Sequence, residues 1–475
     1  MVDAALIERI VRDVVKEFTL GGAKAPNVRN QPLAGPGVFH DVAEAVATLK
    51  QNQREFARRP MQDRARAVAV VRQICRDQAE ELGRLEFAET RIGRLEHKIE
   101  KLKVAADHVP GVEFLQTHAR SGGEGLTLTE YAPFGIIGCI TPITHSLPTL
   151  AGNAINMLAG GNVVLCNPHP GAAHIACEGV ARFNRQIEAT LGIGPLIGVM
   201  AEPTLATAQA IFDHRDVDLL CVTGGPAVAR AALRSSKKAI VAGPGNPPVV
   251  VDETADLDLA ARSIIKGGAY DNNLLCIAEK EVFIVESVFS AFMAAMQKAG
   301  AVALDQRMID KLTHIAFAPY EGKPGKLVVN KDCIGKDATV LGQHAGVKVP
   351  ATTELLFGET EAEHPFVDHE QMMPFVPIVR VKDFEQAVEL AVKYEHGFRH
   401  TAILHSQRLD RMSAMSQAMQ TTLFVVNGPC TASLGVGGEG YLSYSIATPT
   451  GEGVTNPLTF MRQRRINFVG GYQML

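Results

Sequence analysis

Hydrophobic residues in the first 19 positions recur with the period of an α-helix. One face carries Leu6, Ile7, Ile10, Val11, Val14, Val15 and Phe18, and the opposite face carries Glu8, Arg9, Arg12, Asp13, Lys16 and Glu17. This pattern predicts an amphipathic helix over residues 1–20. Residues 21–37 are too rich in glycine and proline to continue it and predict a linker. So short a helix should fold only against a partner surface, either this chain's own body or another protein.

The next part of the chain changes from a helical to an alternating pattern. Residues 42–115 have a helical period with breaks at Pro60 and Pro110, and residues 125–131 alternate like a strand. Apolar runs follow at residues 136–140, 162–166, 196–200, 217–222 and 238–242, with helical segments between them. Alternating strands and helices predict an α/β fold with a Rossmann-type, doubly wound, largely parallel sheet.

A second α/β unit begins after Pro247 and Pro248, with strands expected at residues 249–252, 282–285 and 376–381. A chain of 475 residues exceeds what one hydrophobic core serves, so more than one domain is expected. The first domain is assigned to residues 38–115 and 132–248, and the second, catalytic domain to residues 249–436. Residues 116–131 and 437–475 are assigned to oligomerisation elements.

Composition excludes several classes of partner. Hydrophobic residues make up 46% and charged residues 21%, and the net charge is -4, so nothing draws the chain to nucleic acid or an anionic membrane. No apolar stretch approaches the ~20 residues that span a bilayer, and the N-terminus lacks a signal-peptide core. The cluster Arg462, Arg464 and Arg465 fits either a solvated surface or a phosphate contact.

Eight cysteines are spread along the chain without the short ligand spacing of a zinc site, so no metal is expected. They are Cys75, Cys139, Cys166, Cys177, Cys221, Cys276, Cys333 and Cys430. Several lie in apolar runs, which is typical of packed thiols in a reducing, intracellular compartment. Cys276 differs because it follows a glycine- and amide-rich turn after the helical residues 257–265. Loops held by rigid elements often carry reactive side chains, so Cys276 is either a nucleophile or a packed small hydrophobe.

A second candidate site is the sequence Thr223-Gly224-Gly225, which precedes the helical residues 227–233. A helix N-terminus with a glycine approach can face a pyrophosphate. Close packing of strand and helix explains the two glycines equally well.

Several stretches resemble the aldehyde dehydrogenase superfamily, and the match covers residues 38–475. They are residues 131–138 (Tyr-Ala-Pro-Phe-Gly-Ile-Ile-Gly), 161–165, 222–225, the Cys276 loop at 267–280, and 370–374 (Glu-Gln-Met-Met-Pro). Residues 167–170, 271–280 and 450–455 are similar to the CoA-acylating branch, nearest to the propionaldehyde and acetaldehyde dehydrogenases of bacterial microcompartments. Residues 2–37 are similar to the encapsulation peptides of those enzymes.

The resemblance implies that Cys276 is the catalytic nucleophile. Its thiolate would add to an aldehyde, hydride would pass to NAD, and a thioester would remain on the sulfur. The glutamate that activates water in hydrolytic members is replaced by Ala242, so the acyl group would survive until CoA takes it. Ala242 is also simply a strand end before the Gly243-Pro244-Gly245 turn, and both interpretations can hold.

An oxyanion developing on the substrate needs hydrogen-bond donors. The backbone N–H of Cys276 is one candidate. Family members commonly supply an asparagine from the loop after the first sheet strand, where this chain has His145. His145 is therefore either a catalytic donor that also favours the thiolate, or a loop histidine without such a role.

The resemblance also assigns cofactor-binding residues. They are Thr141 and Pro142 after the first sheet strand, Asn167 and His169 at the family's ribose-binding position, Thr223, Gly224, Gly225, Ala242 and Gly243, and Glu370 at the nicotinamide ribose. No cation is evident for an adenosine 2'-phosphate, which favours NAD over NADP. CoA, as co-substrate, is expected to use much of the same cleft after NADH leaves.

We therefore expect an NAD-dependent enzyme that oxidises a short aliphatic aldehyde, propionaldehyde or acetaldehyde, to its acyl-CoA. The alternatives are a hydrolytic aldehyde dehydrogenase that releases the free acid, and a non-catalytic cargo or scaffold protein. A homo-oligomer, either dimer or tetramer, is expected in the bacterial cytoplasm. Residues 2–19 would bind a shell protein of a microcompartment.

Overall fold

The computed structural model describes residues 33–319 and 327–470. The predicted helix over residues 2–19 and most of its linker lie outside the described residues. The chain forms two compact units. Of the described residues, the first unit comprises those up to Thr90, Ile99–Gly243 and those from Tyr441 onward, and the second comprises Arg91–Lys98 and those between Pro244 and Gly440.

The α-helices are numbered in chain order over the described residues. They are α1 Val42–Phe56, α2 Met61–Asp77, α3 Ala79–Thr90, α4 Leu95–His108, α5 Ser146–Ala159, α6 Ala173–Leu191, α7 Leu205–Asp213, α8 Pro226–Arg234, α9 Leu257–Gly268, α10 Phe289–Lys298, α11 Gln306–Ala316, α12 Ala338–Ala345, α13 Pro365–Asp368, α14 Phe384–Tyr394 and α15 Leu409–Met419.

The strands are numbered in the same way. They are β1 Val38–Phe39, β2 His118–Gly122, β3 Gly125–Pro133, β4 Ile136–Thr141, β5 Val163–Pro168, β6 Ile197–Met200, β7 Leu219–Thr223, β8 Ala239–Ala242, β9 Pro248–Val251, β10 Glu281–Val285, β11 Val302–Ala303, β12 Phe317–Pro319, β13 Leu327–Val329, β14 Leu356–Glu359, β15 Phe375–Val381, β16 Thr401–His405, β17 Leu423–Val426, β18 Ile446–Ala447, β19 Gly453–Val454 and β20 Met461–Val469.

The first unit contains a six-stranded parallel sheet in the order β1-β6-β5-β4-β7-β8. Its central strands β4, β5 and β7 are buried along their whole length, as expected of a parallel sheet covered on both faces. The chain runs from β4 outward to β6 and then returns to β7 on the other side of β4. The order therefore reverses between β4 and β7, and the predicted doubly wound sheet is confirmed.

A three-stranded antiparallel sheet, β2-β3-β20, also belongs to the first unit. Strand β20 pairs with β3 over nine residues, from Met461 opposite Pro133 to Val469 opposite Gly125. Within the arginine cluster, Arg464 contacts Glu130 at 2.8 Å across these strands. That arginine is thus engaged on a largely exposed surface.

The second unit contains a seven-stranded parallel sheet in the order β11-β14-β15-β10-β9-β16-β17. One face packs against α14 and α15 through a core that includes Phe283, Phe384, Tyr394 and Met415. Helix α9 begins where the Asp256 side chain accepts a hydrogen bond from the Leu259 N–H at 2.9 Å. This helix leads directly into the loop that carries Cys276.

Several boundaries differ from the sequence-based assignment: residues 244–248 and 437–440 cluster with the second unit, and the largest difference lies at residues 91–98. Residues 91–98 were placed in the first domain but cluster with the second unit. Their backbone is bound there, because the Arg94 N–H donates to the Asp271 carboxylate at 2.7 Å and the Asn272 amide donates to the Gly93 carbonyl at 3.3 Å. The helical period of this region could not show which core these residues join.

Candidate active site

The predicted cofactor residues of the first unit lie at one edge of its parallel sheet. Thr141 at the end of β4 is in register with Pro168 of β5, and Thr223 at the end of β7 is in register with Ala242 of β8. The strand order reverses between β4 and β7, which is where doubly wound sheets bind nucleotides. The fold therefore places Thr141, Thr223 and Ala242 at the expected edge for a dinucleotide.

The junction between β7 and α8 fits an anionic ligand. Gly225 is the N-cap of α8, Pro226 occupies the first turn, and backbone N–H groups of that turn have no partner within a helix. Thr223 is fixed by a 2.7 Å hydrogen bond between its hydroxyl and that of Ser445. Gly224 also packs closely, since a Cβ added there would lie 3.0 Å from Val228 Cγ1. Both interpretations of the glycines are thus compatible with the geometry.

Asn167 and His169 hold the loop after β5. The Asn167 carboxamide oxygen accepts a 2.6 Å hydrogen bond from the Thr207 hydroxyl, and its nitrogen donates to the Thr204 carbonyl at 3.3 Å. His169 Nδ1 accepts a 3.0 Å hydrogen bond from the Gly171 N–H. These contacts order the strand end, and a direct role in ribose binding stays a prediction.

Ala242 and Gly243 close the last strand of this sheet. Ala242 is buried, and a Cβ added to Gly243 would lie 2.8 Å from Pro449 Cγ. A methyl side chain cannot accept a proton, so Ala242 offers no base for activating water.

His145 is the N-cap residue of α5 in the first unit and is buried. Its ring centroid lies 5.3 Å from that of Tyr444, and its carbonyl accepts hydrogen bonds from the Thr149 N–H at 3.0 Å and the Thr149 hydroxyl at 2.7 Å. Cys276 belongs to the second unit, so the predicted action of His145 on the substrate oxyanion stays a prediction.

The Cys276 loop contains three consecutive non-glycine residues in the left-handed region. The φ angles are 49° at Asp271, 56° at Asn272 and 65° at Asn273. Such angles are tolerated by Asp and Asn but carry strain, which accumulates at functional sites. Cys276 itself is partly exposed, whereas the other seven cysteines are buried.

Hydrogen bonds from side-chain amides hold this strained turn in place. The Asn272 amide donates to the Gly335 carbonyl at 3.0 Å. The Asn273 amide donates to the carbonyls of Gly268 at 2.8 Å and Glu279 at 2.9 Å. Since these partners lie on both sides of the turn, the position of Cys276 is set before any substrate binds.

Gly245 links Cys276 to the predicted Glu370. A Cβ added at Gly245 would lie 2.5 Å from the Cys276 carbonyl oxygen and 3.0 Å from His400 Cγ, and the Gly245 N–H donates to the Glu370 carboxylate. Burial raises the pKa of Glu370, whereas the Lys280 charge and the Gly245 hydrogen bond lower it. Glu370 therefore lies beside the backbone that supports Cys276.

Three further charged or titratable residues of this site were missed by the sequence reasoning. Lys280, Glu279 and His400 are completely buried. Burial raises the pKa of Glu279 to about 7, and burial together with the Lys280 charge lowers the pKa of His400 to about 4. The available signal was that Glu279-Lys280-Glu281 directly precedes apolar residues of a predicted strand, although such a charge run is usually solvated.

The described residues were also compared with what a membrane-spanning helix and a metal site require. Across residues 33–319 and 327–470, no helix combines the length and apolarity needed to cross a membrane. The same described residues contain no group of three His, Cys, Asp or Glu side chains arranged to hold a metal ion.

The chain resembles known proteins over most of its length. A model described as the aldehyde dehydrogenase family matches residues 37–441. The acetaldehyde dehydrogenase (acetylating) of Escherichia coli is 41% identical over 470 residues, which cover 99% of this chain and 99% of that protein.

Two solved structures share the fold closely. The propionaldehyde dehydrogenase of the Clostridium phytofermentans fucose utilisation bacterial microcompartment superposes with a TM-score of 0.88 and 41% identity, covering 91% of this chain and 98% of that chain. The Rhodopseudomonas palustris propionaldehyde dehydrogenase, solved with bound CoA and an acylated cysteine, gives a TM-score of 0.88 and 40% identity, covering 91% and 98%. The family model matches most of this chain, and the Escherichia coli relative is 41% identical over nearly all of it. The chain therefore belongs to the aldehyde dehydrogenase family.

Proposed function

We propose that this protein is an NAD-dependent, CoA-acylating dehydrogenase that converts a short aliphatic aldehyde, propionaldehyde or acetaldehyde, to its acyl-CoA. The observation that carries this assignment is Cys276, which alone among the eight cysteines is partly exposed, on a turn held by buried amides. The relatives named as acetylating or propionaldehyde dehydrogenases support the choice of substrate class.

Each proposed site residue has a separate role in the oxidation of the aldehyde. The Cys276 thiolate attacks the aldehyde carbon, a C–S bond forms, and the carbonyl electron pair moves to oxygen. The Cys276 N–H and His145 are assigned as donors to that oxyanion. Thr223–Gly225 and Glu370 would hold NAD, which would supply the hydride acceptor when the C=O bond reforms. The acyl group then remains on Cys276 as a thioester.

Release of the acyl group requires a second nucleophile. Ala242 provides no base for water, so hydrolysis of the thioester is expected to be slow. The CoA thiolate attacks the thioester carbon, and the C–S bond to Cys276 breaks with return of the thiolate. Acyl-CoA is then the product, in ping-pong order after NADH has left.

Product analysis tests this function against the hydrolytic alternative. The enzyme is incubated with NAD and acetaldehyde, propionaldehyde or butyraldehyde, with and without CoA. We expect acyl-CoA and NADH in equal amounts only when CoA is present. Steady formation of free acid without CoA would contradict the proposal. Loss of NADH formation in Cys276→Ala would dispose of a non-catalytic scaffold.

His145→Ala tests the assigned oxyanion donor. Loss of one such donor should lower turnover by more than about tenfold. His118→Ala, on the exposed strand β2, provides a matched histidine replacement in the same unit. Near-normal turnover of His145→Ala with an unchanged thermal midpoint would exclude the role.

The amphipathic pattern of residues 2–19 in the sequence supports a proposal on location. Residues 2–19 on their linker would bind a shell protein and bring the enzyme into a bacterial microcompartment. The Clostridium phytofermentans relative comes from such a compartment.

A further inference from the structure

We propose that Lys280 is a positioning residue whose buried ammonium group holds the nucleophile loop and stabilises Cys276 as a thiolate. This role rests on the proposed function, which makes Cys276 the nucleophile. It adds to that function the cationic partner that the reaction needs before substrate binds.

The hydrogen bonds of Lys280 indicate that the side chain is protonated. Its Nζ donates to the Asn273 carbonyl at 2.9 Å, to the Leu275 carbonyl at 3.2 Å and to the Asn273 carboxamide oxygen. Three acceptors require the three N–H donors of an ammonium group, because a neutral amine has only two. All three acceptors belong to the residues just before Cys276. Lys280 therefore fixes the backbone of the Cys276 loop and places a positive charge next to Asn273 and Leu275.

Six titratable groups face this charge, and all of them except His400 can become anionic. They are Glu370, Cys276, Cys430, Glu281, Glu279 and His400. Burial raises the pKa of Cys430, Glu281, Glu279 and Glu370, and so favours their neutral forms. Burial lowers the pKa of His400 to about 4, so this ring is neutral near pH 7 and contributes no competing cation. Cys276 is partly exposed, so an anion there incurs a smaller desolvation cost than at the fully buried Glu281, Glu279 or Cys430.

The consequence concerns reactivity. A cation close to a cysteine favours the thiolate, which is the nucleophilic form. Burial lowers the pKa of Lys280, and the acidic groups, Glu370 and Cys276 first among them, offset only part of that lowering. The three hydrogen-bond acceptors therefore carry the argument that the group is an ammonium. Because three hydrogen bonds hold the ammonium group in place, no reorganisation is needed when the negative charge forms on sulfur.

The test is the pH dependence of Cys276 alkylation by iodoacetamide, followed by mass spectrometry of the Cys276 peptide. Lys280→Met removes charge and donors, whereas Lys280→Gln removes the charge and retains two N–H donors. We expect the alkylation midpoint of both variants to rise by about 1 to 3 pH units. Lys298→Met is the matched control, because Lys298 forms an exposed ion pair with Asp258 at 2.8 Å in the same unit. Its midpoint should equal that of the parent.

Two results would overturn the role. A parent-like midpoint in folded Lys280→Gln would show that hydrogen bonding alone matters. If neither variant folds, the parent provides the measurement, through the ultraviolet absorbance of the thiolate minus that of Cys276→Ser. A midpoint below about 8.5, the value of a free thiol, is expected, and one at or above it would contradict the role.

Alkylation needs neither aldehyde, NAD nor CoA, so its outcome is separate from that of the proposed function. Unchanged NADH formation in Cys276→Ala would defeat the function, whatever the alkylation midpoint. A shifted midpoint in Lys280→Gln with free acid as the product would defeat CoA acylation and leave the role of Lys280 intact.

Discussion

Burial separates Cys276 from the other seven cysteines of the chain. Desolvation raises the pKa of Cys75, Cys166 and Cys177 to about 12, so these thiols stay protonated near pH 7. Protonated, enclosed thiols neither attack aldehydes nor react with alkylating agents. Selectivity among eight chemically identical side chains is thus a matter of their surroundings.

Ala242→Glu should shift the product from acyl-CoA toward free acid. A carboxylate at this strand end would supply the base that activates water against the thioester. We expect the rate of acid formation without CoA to rise by about tenfold or more, measured by chromatography of the products. Ala242→Gln has nearly the same side-chain size without the base and should leave that rate low. Equal acid formation in the two variants would contradict the explanation.

Glu279→Gln should change how stability depends on pH. The folded pKa of Glu279, about 7, lies above its ordinary value of 4.5, so the folded protein binds more protons between these values. Its contribution is fully present below pH 4.5 and is lost as the pH rises to about 7. Relative to the parent, the variant should lose less stability over this range, by roughly 3 kcal/mol at most.

Thermal midpoints of parent and Glu279→Gln at pH 5 and pH 8 check this sign. Glu253→Gln, which removes a more exposed carboxylate of the same unit, is the control for replacing a glutamate. An identical pH dependence in parent and Glu279→Gln would show that Glu279 does not titrate in this range.

At the scale of the element, strand β20 carries the clearest unexplained surface. It lies at the edge of the sheet β2-β3-β20, and Val469 at its end is 85% exposed. The strand is otherwise largely polar, with Arg462, Arg464 and Arg465, so its exposed apolar surface is confined to the end at Phe468 and Val469. Exposed apolar residues at a sheet edge are often covered by association. The assignment of residues 437–475 to oligomerisation stays a prediction.

Val469→Lys should weaken self-association if β20 forms a subunit contact. A charge placed at the apolar end of this edge strand opposes its burial against another chain, so sedimentation velocity should show a smaller species. Leu409→Lys is the matched control, since Leu409 is a 76% exposed hydrophobic residue on α15 of the second unit. The same distribution of species in both variants and the parent would exclude this edge.

Elements were predictable where one local period sufficed. The apolar run at 136–140 became β4 at Ile136–Thr141, and the helical residues 257–265 became α9 at Leu257–Gly268. Pairing was not predictable to the same degree. The register of Met461 with Pro133 joins distant parts of the chain, and the alternation within each strand does not name its partner.

At the scale of the whole molecule, deletion of residues 1–20 should separate activity from location. The residues proposed to bind and react all lie outside residues 1–20, so kcat and KM should match those of the parent. Co-purification with microcompartment shells should be lost, because the apolar face of the predicted helix is removed. A variant with Leu6, Ile10 and Val14 changed to Ser retains the length and should behave like the deletion. Unchanged co-purification of both would defeat the encapsulation proposal.

The sequence by itself determined the α/β class, the strand and helix segments, and Cys276, Ala242 and Glu370 as candidates. The hydrophobic period and short motifs are local properties, so they can be identified from the sequence alone. Only the tertiary structure decided that residues 91–98 join the second unit and that Lys280, Glu279 and His400 are buried around the Cys276 loop. The physical reason is that burial and the pKa depend on which distant segments exclude water from a side chain. A charge run such as Glu279-Lys280-Glu281 looks the same in the sequence whether it is solvated or enclosed.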